Sequence, residues 1–244
     1  MVMAEQNLVG RHFEGYFVTG TDTSVGKTLV AAGLLVAASQ LGLRAVGIKP
    51  VAAGCTSESG AELVSEDALA LQQAASVKLD YREVNPVALE LPIAPHLAAA
   101  NSGVRLGVSE LVQHCRQVAA DSSAQFIIVE GAGGWFVPLN ETETMADFCI
   151  GLGYPVIIVV GMKLGCLNHA LLTMHAVQAA GLSIAGWVAN CTEPQMMAIE
   201  GNLQTLRDVL TAPLLGVVPY LGPSASAGQA AQNLQLDLLA GAET

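Results

Sequence analysis

Six short apolar runs, rich in β-branched residues, recur along the chain, and segments of helix length separate them. The runs occupy residues 16–19, 45–48, 126–129, 156–160, 184–189 and 214–218. Continuous apolar runs are typical of strands buried on both faces, and their alternation with helices indicates parallel pairing. We therefore predict a single α/β domain over residues 1–244, a largely parallel β-sheet flanked by helices on both faces, with 1–14 as a flexible N-terminal extension.

Amphipathic or apolar segments between these runs predict the helices. We expect helices near residues 27–41, 66–75, 110–120, 145–152, 169–180, 195–210 and 227–239. Several starts carry a residue that can cap a helix, namely Ser65, Ser109, Thr144 and Asn168. The proline-rich piece at 85–95 is interpreted as an ordered excursion rather than a linker.

The first run leads into a glycine-bounded loop that ends in Gly-Lys-Thr. Backbone N–H groups of such a loop can surround phosphates, while Lys27 reaches the outer phosphates and the Thr28 hydroxyl binds Mg²⁺. The loop is one residue longer than the usual spacing, because five residues separate Gly20 from Gly26. A plain glycine turn opening a helix is the alternative, but a lysine at a helix start opposes the helix dipole. The loop therefore predicts a P-loop NTPase-like nucleotide site formed by Thr23, Ser24, Val25, Gly26, Lys27 and Thr28.

Charge and cysteine content narrow the classes of function. The formal net charge is −11 and there are only four lysines, without a basic run, which argues against nucleic-acid or membrane-surface binding. The five cysteines form no Cys-x-x-Cys pair, which favours a reducing compartment over disulfides or structural zinc. No apolar stretch reaches membrane-spanning length, so we expect a cytoplasmic protein.

Two further strand ends carry charged residues. Lys49 follows the second run and precedes Pro50, so it is expected to face the same crevice as the phosphates, unless it merely extends to solvent. Glu130 follows the third run and precedes the glycine-rich segment 131–134. An acid at this position holds Mg²⁺ in phosphate-loop enzymes, although a solvent-facing or capping Glu is the simpler alternative.

Two helix starts are less specific. Asp67 lies in the first turn after Ser65, where the helix dipole favours any acid. The segment from Gly165 to Asn168 opens a helix after the fourth run and offers N–H groups to an anionic group of a substrate. The histidines show no metal-ligand spacing and are interpreted as structural.

Together these segments closely resemble the dethiobiotin synthetases, from residue 16 to about residue 220. The longer glycine spacing is itself a feature of that family. The resemblance implies a homodimeric ligase that uses ATP and Mg²⁺ to close a ureido ring. Its substrates would be 7,8-diaminononanoate and CO₂, joined through a carbamate and a carbamic-phosphoric anhydride, with release of ADP and phosphate.

The resemblance also implies roles for individual residues. Lys27 and Lys49 would be the catalytic cations, and Thr28, Asp67 and Glu130 the Mg²⁺ ligands. The remaining nucleotide contacts would come from Gly131, Ala132, Gly133, Asn190, Pro219, Tyr220 and Leu221. The substrate contacts would come from Lys49, Ala53, Gly165, Cys166 and Asn168, with Asn168 reaching the substrate carboxylate in the partner's site. Ala53 stands where the family usually has a Ser or Thr hydroxyl, which puts substrate affinity in question.

Three other classes of protein carry a similar phosphate loop, and the sequence fits each of them less well. A partitioning-type ATPase switch usually has an extra lysine early in the loop, and residues 21–25 contain none. A GTPase is less consistent with the sequence, because Cys191 and Thr192 follow Asn190 instead of a Lys-x-Asp base-reading pattern. An amidating synthetase of the cobyrinate type would be expected to carry a glutaminase segment, which does not fit in 244 residues.

Overall fold

The computed structural model describes residues 15–57 and 62–239, so the expected flexible extension at 1–14 lies outside the described residues. Its main sheet contains six strands, all parallel, in the order β2-β5-β1-β6-β7-β8. The predicted parallel sheet is confirmed. The strands are β1 (Gly15–Gly20), β2 (Ala45–Ile48), β3 (Val51–Ala53), β4 (Val87–Leu89), β5 (Phe126–Gly134), β6 (Val156–Gly161), β7 (Ile184–Asn190) and β8 (Leu214–Val218).

Helices connect the strands. They are α1 (Lys27–Gln40), α2 (Glu66–Ala74), α3 (Tyr81–Val84), α4 (Pro95–Asn101), α5 (Val108–Ser122), α6 (Met145–Leu152), α7 (Cys166–Ala179), α8 (Ile199–Val209) and α9 (Ala227–Ala231), followed by a 3₁₀ turn at Leu236–Leu238. Within the described part of the chain, no helix combines the length and apolar character needed to cross a membrane.

The sheet is buried on both faces, as predicted. Phe17 of β1 packs into one core with α4 to α8, whereas its neighbours Tyr16 and Val18 pack into a second core with α1 and α9. Successive side chains of a strand point to opposite faces, so each continuous apolar run serves both cores.

Several predictions about elements were wrong or incomplete. The cap predicted at Ser109 was wrong, because Gly107 is the N-cap of α5, and the short helices α3 and α4 were not predicted. The short parallel pair β3–β4 was not predicted, and β4 lies inside the segment interpreted as an excursion. The glycine-rich segment after Glu130 continues β5 to Gly134, which pairs with Gly20, instead of forming a loop. The helix expected at 227–239 ends at Ala231 because the following chain packs against β8. Gln235 N–H donates to Leu215 O at 2.8 Å, and a Cβ on Gly216 would lie only 1.9 Å from Asn233 O.

The topology defines a crevice. Strand β1 lies in the middle of the sheet. Strands β5 and β2 lie on one side of it, and β6, β7 and β8 lie on the other. In parallel sheets, ligands bind beyond the carboxyl ends of the strands where the order reverses in this way. The phosphate loop follows β1, Lys49 follows β2, and Glu130 lies within β5 beside Val18 of β1.

Candidate active site

The loop between β1 and α1 is held in shape by β7. Asn190, at the end of β7, is buried, and its Nδ2 donates to Val25 O at 2.8 Å. Ser24 and Gly26 have positive φ angles of 59° and 84°, and a Cβ on Gly26 would lie 2.1 Å from Asn190 Nδ2. Only glycine fits position 26 without displacing that amide.

Lys27 is the first residue of α1 and is buried under this loop. Its Nζ donates to Asp22 O at 3.2 Å, and Asp22 also forms an ion pair with Lys163 at 2.9 Å. Burial, together with the positive charge of Lys49, lowers the pKa of Lys27 to about 8. A buried ammonium without a carboxylate in direct contact is well suited to receive an anionic ligand.

Glu130 is the central carboxylate of the site and is 1% exposed. Its Oε1 accepts hydrogen bonds from Thr28 Oγ1 at 2.8 Å and from Lys49 Nζ at 2.5 Å. Its Oε2 is buried and has no hydrogen-bond partner among the described residues. A buried carboxylate oxygen without a partner is costly unless a ligand completes its coordination.

Lys49 bridges the two acids of the site. Besides Glu130, its Nζ contacts Asp67 Oδ2 at 3.0 Å and donates to Gly131 O at 3.3 Å. Burial opposes the charge on Lys49, but the two carboxylates outweigh burial, so the pKa of Lys49 is raised. Burial likewise opposes ionisation of Asp67, yet Lys49 and Thr28 lower its pKa. Both groups are therefore held in their charged forms.

These groups open into a cavity of about 740 Å³. Most of the residues predicted from the sequence line it, namely Thr23, Ser24, Gly26, Lys27, Thr28, Lys49, Ala53, Asp67, Glu130, Ala132 and Gly133. The remaining wall comes from Val51, Ala52, Pro92, Ile93, Ala94, Pro95 and Val137. The sequence had not singled out this wall, because its apolar and proline residues carry no charge pattern.

Two of the residues predicted to contact the nucleotide, Val25 and Gly131, lie behind the cavity rather than in its wall. Val25 is 1% exposed and supports the loop from within the core. A Cβ on Gly131 would lie 2.8 Å from the ring of Phe17, so this glycine permits close packing of β5 against β1. Ala132 and Gly133 alone bring this segment to the cavity.

The other predicted residues lie outside the cavity lining, namely Gly165, Cys166, Asn168, Asn190, Pro219, Tyr220 and Leu221. The helix starts at Cys166 with Gly165 as its N-cap, so the predicted cap at Asn168 was wrong and Asn168 lies exposed in the first turn. Cys166 is 1% exposed, and burial raises the pKa of its thiol. Asn190 lies behind the loop against Val25 and Gly26, and its Oδ1 is buried without a partner among the described residues.

The donor atoms suit a hard cation. Thr28, Asp67 and Glu130 offer a hydroxyl and two carboxylates, and Glu130 Oε2 is unsatisfied. Within residues 15–57 and 62–239, no three His, Cys, Asp or Glu side chains converge as a ready-made metal cluster. Mg²⁺ commonly takes one or two carboxylates and completes its shell with water and phosphate oxygens, so the residues present fit it.

Comparisons with known proteins agree with this geometry. A family described as an AAA domain matches residues 14–227. An ATP-dependent dethiobiotin synthetase from Cellvibrio japonicus is 50% identical over 224 residues, covering 91% of this chain and 96% of the relative. Those from Pseudomonas paraeruginosa and Salmonella typhi are 51% and 48% identical, each over 223 residues, covering 91% of this chain and 96% of each relative.

Solved structures resemble the fold at much lower identity. FtsY from Mycoplasma mycoides superposes with a TM-score of 0.51 at 14% identity, covering 96% of this chain and 72% of that one. The MinC:MinD complex of Aquifex aeolicus matches with a TM-score of 0.50 at 12% identity, covering 90% of this chain and 86% of that one. At such identity the likeness concerns the fold alone, which is that of P-loop NTPases.

Proposed function

The chain belongs to the family of ATP-dependent dethiobiotin synthetases, and we propose that its 740 Å³ cavity is where ATP, 7,8-diaminononanoate and CO₂ react. The observation that carries this proposal is the convergence of Lys27, Lys49 and Glu130 on one cavity, from the start of α1, the end of β2 and the middle of β5. The chain is a ligase of biotin biosynthesis, and we propose that it acts as one domain over residues 1–244 in the cytoplasm.

The proposed reaction has an electrostatic obstacle. A carbamate formed on one amine of the substrate must attack the γ-phosphate of ATP, although both groups are anions. At about 4 Å and an effective dielectric of about 20, each pair of unit charges repels by about 4 kcal/mol. Lys27 and Lys49 supply fixed positive charge where the two anions meet, and such preorganised charge is the usual source of catalysis in phosphoryl transfer.

After that attack, the second amine of the substrate closes the ring on the carbamic-phosphoric anhydride. The C–N bond forms as the C–O bond to phosphate breaks, so phosphate leaves and the attacking nitrogen loses one proton to solvent and keeps the other. We assign no covalent role to the protein in this step. Lys27 and Lys49 instead stabilise the negative charge of the departing phosphate.

We propose that Thr28, Asp67 and Glu130 would hold Mg²⁺. The unpartnered Glu130 Oε2 supports this assignment, because a cation would satisfy it. When bound, Mg²⁺ neutralises phosphate charge and orients the terminal phosphates. In the structure Lys49 forms ion pairs with both Asp67 and Glu130, two of these three residues.

The adenine contacts are proposed at the end of β7. Asn190 Oδ1 is a buried acceptor without a partner among the described residues, which the amino group of adenine would satisfy. Pro219, Tyr220 and Leu221 directly follow the neighbouring strand β8, so they lie at the same edge of the sheet. Gly131, Ala132 and Gly133 are proposed to flank the phosphates from β5.

We propose a homodimer in which the start of α7 completes the partner's substrate site. Asn168 is exposed and lies outside the cavity of its own subunit, while Leu164 and Leu172 beside it are 97% and 61% exposed. Gly165 and Cys166 would present backbone N–H groups to the substrate carboxylate, and Ala53 would line the diamine site. Mixing inactive Lys49→Ala and Asn168→Ala subunits should restore part of the activity, whereas sites within single subunits would give none.

The direct test is phosphate release from Mg-ATP by the purified protein, with and without 7,8-diaminononanoate and bicarbonate. Mass spectrometry follows formation of the cyclic urea. The proposed reaction requires both additions for phosphate release, with dethiobiotin as the product. ATP hydrolysis indifferent to both would instead favour a switch controlled by a protein partner.

A further inference from the structure

A buried asparagine holds the main chain of Lys49. Asn85 is 2% exposed, and its Nδ2 donates to Lys49 O at 2.6 Å and to Val87 O at 3.2 Å. The N–H of Lys49 donates to Val84 O at 2.8 Å, just before Asn85. The short link between β2 and β3 is therefore fixed from behind, on the side away from the cavity. Neither Asn85 nor Val84 lines that cavity.

The amide oxygen of Asn85 is connected by hydrogen bonds to α2, the helix that carries Asp67. Asn85 Oδ1 accepts from the Tyr81 hydroxyl at 3.0 Å, and the Tyr81 oxygen accepts from the N–H of Ser65 at 2.7 Å. Ser65 is the N-cap of α2, where its Oγ accepts from Ala68 N–H at 3.4 Å. Asp67 lies in the first turn after this cap.

These contacts close into a ring. It runs from Lys49 O through Asn85, Tyr81 and Ser65 to Asp67, and the Asp67 carboxylate returns to Lys49 Nζ at 3.0 Å. The direction of each bond is determined, because Nδ2 must face the two carbonyls and the Tyr81 proton must face Oδ1. Asn85 and Ser65 are buried, whereas Tyr81 is half-buried and the Asp67 side chain is 48% exposed. A network whose hydrogen bonds are satisfied in this way favours one arrangement over others.

We propose that Asn85 and Tyr81 are positioning residues that set the distance between Lys49 and Asp67. The proposal rests on the proposed function, because it assigns the ring a role in placing the lysine that meets the anionic reactants. Asn85 and Tyr81 do not touch the reactants. They act by locating the backbone of Lys49 and the first turn of α2 relative to each other. Misplacement of a reacting group by about 1 Å can cost on the order of 100-fold in rate.

The test uses Tyr81→Phe, which keeps the ring and removes only the hydroxyl, together with Asn85→Ala. Asn140→Ala is the matched control, because Asn140 Nδ2 also donates to a backbone carbonyl, Leu106 O at 2.7 Å, away from the cavity. We expect both ring variants to lower kcat by about 10- to 100-fold while the KM for ATP changes less than about threefold. The Asn140→Ala control should lower the melting temperature and leave kcat unchanged, because it loses a hydrogen bond of the same kind away from the cavity. Ring variants that behave in the same way would overturn the proposal.

A double-mutant cycle that combines Tyr81→Phe with Asp67→Asn separates a positioning role from a purely structural one. If the ring acts through the Lys49–Asp67 pair, Tyr81→Phe costs much less in kcat once Asp67 has been neutralised. Equal costs in both backgrounds would overturn the proposal.

A crystal structure of Tyr81→Phe provides a readout that does not depend on activity. We expect the Lys49 Nζ to Asp67 Oδ2 distance to exceed 4 Å, the usual limit of an ion pair. An unchanged pair would overturn the positioning role even if the enzyme makes dethiobiotin. A wild-type protein that makes no dethiobiotin would instead refute the proposed function. The crystal structure of Tyr81→Phe would still show whether the ring sets the distance between Lys49 and Asp67.

Discussion

Lys49 and Glu130 meet with 2.5 Å between Nζ and Oε1, although they come from strands far apart in sequence. Both side chains are withdrawn from solvent, with exposed fractions of 5% and 0%. Removing one member of a buried ion pair leaves the other charge buried without its partner, which lowers the stability of the fold. Substitutions at Lys49 or Glu130 are therefore expected to affect both stability and activity.

We expect Lys49→Ala to lower kcat by about 100- to 1,000-fold, because it removes fixed positive charge from the point where the two anions meet. The KM for ATP should change by less than about tenfold, since Lys27 and the loop remain. Steady-state kinetics and calorimetry with ATP measure the two effects. Lys78→Ala is the control, because Lys78 bonds only backbone carbonyls of α2 and its C-terminal end. Equal losses in turnover and ATP affinity would contradict the role given to Lys49.

Glu130→Gln should raise the Mg²⁺ concentration for half-maximal activity by about tenfold or more, because it replaces an anionic oxygen with an amide. Magnesium titrations at saturating ATP measure this shift. Glu143→Gln is a matched control, since Glu143 accepts hydrogen bonds from Asn140 and Val108 outside the cavity. An unchanged magnesium requirement in Glu130→Gln would remove Glu130 from the proposed metal site.

Gly26→Ala should weaken ADP binding by at least about tenfold, equivalent to about 1.4 kcal/mol, because a Cβ would displace Asn190 and with it the loop. Gly42→Ala isolates the effect of backbone strain. Gly42 has a φ of 79°, close to the 84° of Gly26, but has no atom within 4 Å of the added Cβ. Both variants should lose about 1–2 kcal/mol of unfolding free energy, and only Gly26→Ala should lose affinity. Similar affinities would show that the contact with Asn190 is unimportant.

Thr144→Ala should lower the free energy of unfolding by about 1 kcal/mol without changing kcat, because it removes the cap of α6. Thr144 Oγ1 donates to Asp147 Oδ2 at 2.7 Å, and hydrogen bonds from the Thr144 side chain and backbone lower the pKa of Asp147. A lowered carboxyl pKa stabilises the fold above about pH 4, and this contribution is lost as the pH falls through the folded-state value.

Urea unfolding of the wild type and Thr144→Ala should therefore show a difference that shrinks between about pH 5 and pH 3. Ser226→Ala provides the comparison, since its capping box uses the neutral side chain of Gln229. The Ser226→Ala difference should stay constant with pH. A pH-independent difference for Thr144→Ala would mean that Asp147 does not contribute through its charge.

Sequence patterns predicted the strands that carry the site well, because each strand is a continuous apolar run. Strands β2 and β8 have the predicted bounds, and Lys27, Lys49 and Glu130 come together after β1, after β2 and within β5. Parallel strands share one carboxyl edge, so charged residues at these ends converge without any further information.

Other parts could not be predicted in this way. Strands β3 and β4 are three residues each, too short to show a period, and they form only because their chain segments are brought together. Asn85 and Tyr81 were missed because no spacing connects them with Lys49 or Ser65. Asp67 alone has the character of an ordinary helix start, and only its contact with Lys49 distinguishes it.

The central position of β1 also governs how the protein is made. Phe17 of β1 pairs with Val129 on one side and with Val156 on the other, so both neighbours are synthesised long after β1 itself. A ribosome must therefore translate through β5 before β1 has its first partner, and through β6 before the middle of the sheet can close. Such late, non-local pairing makes folding slow and leaves the nascent chain dependent on protection from aggregation.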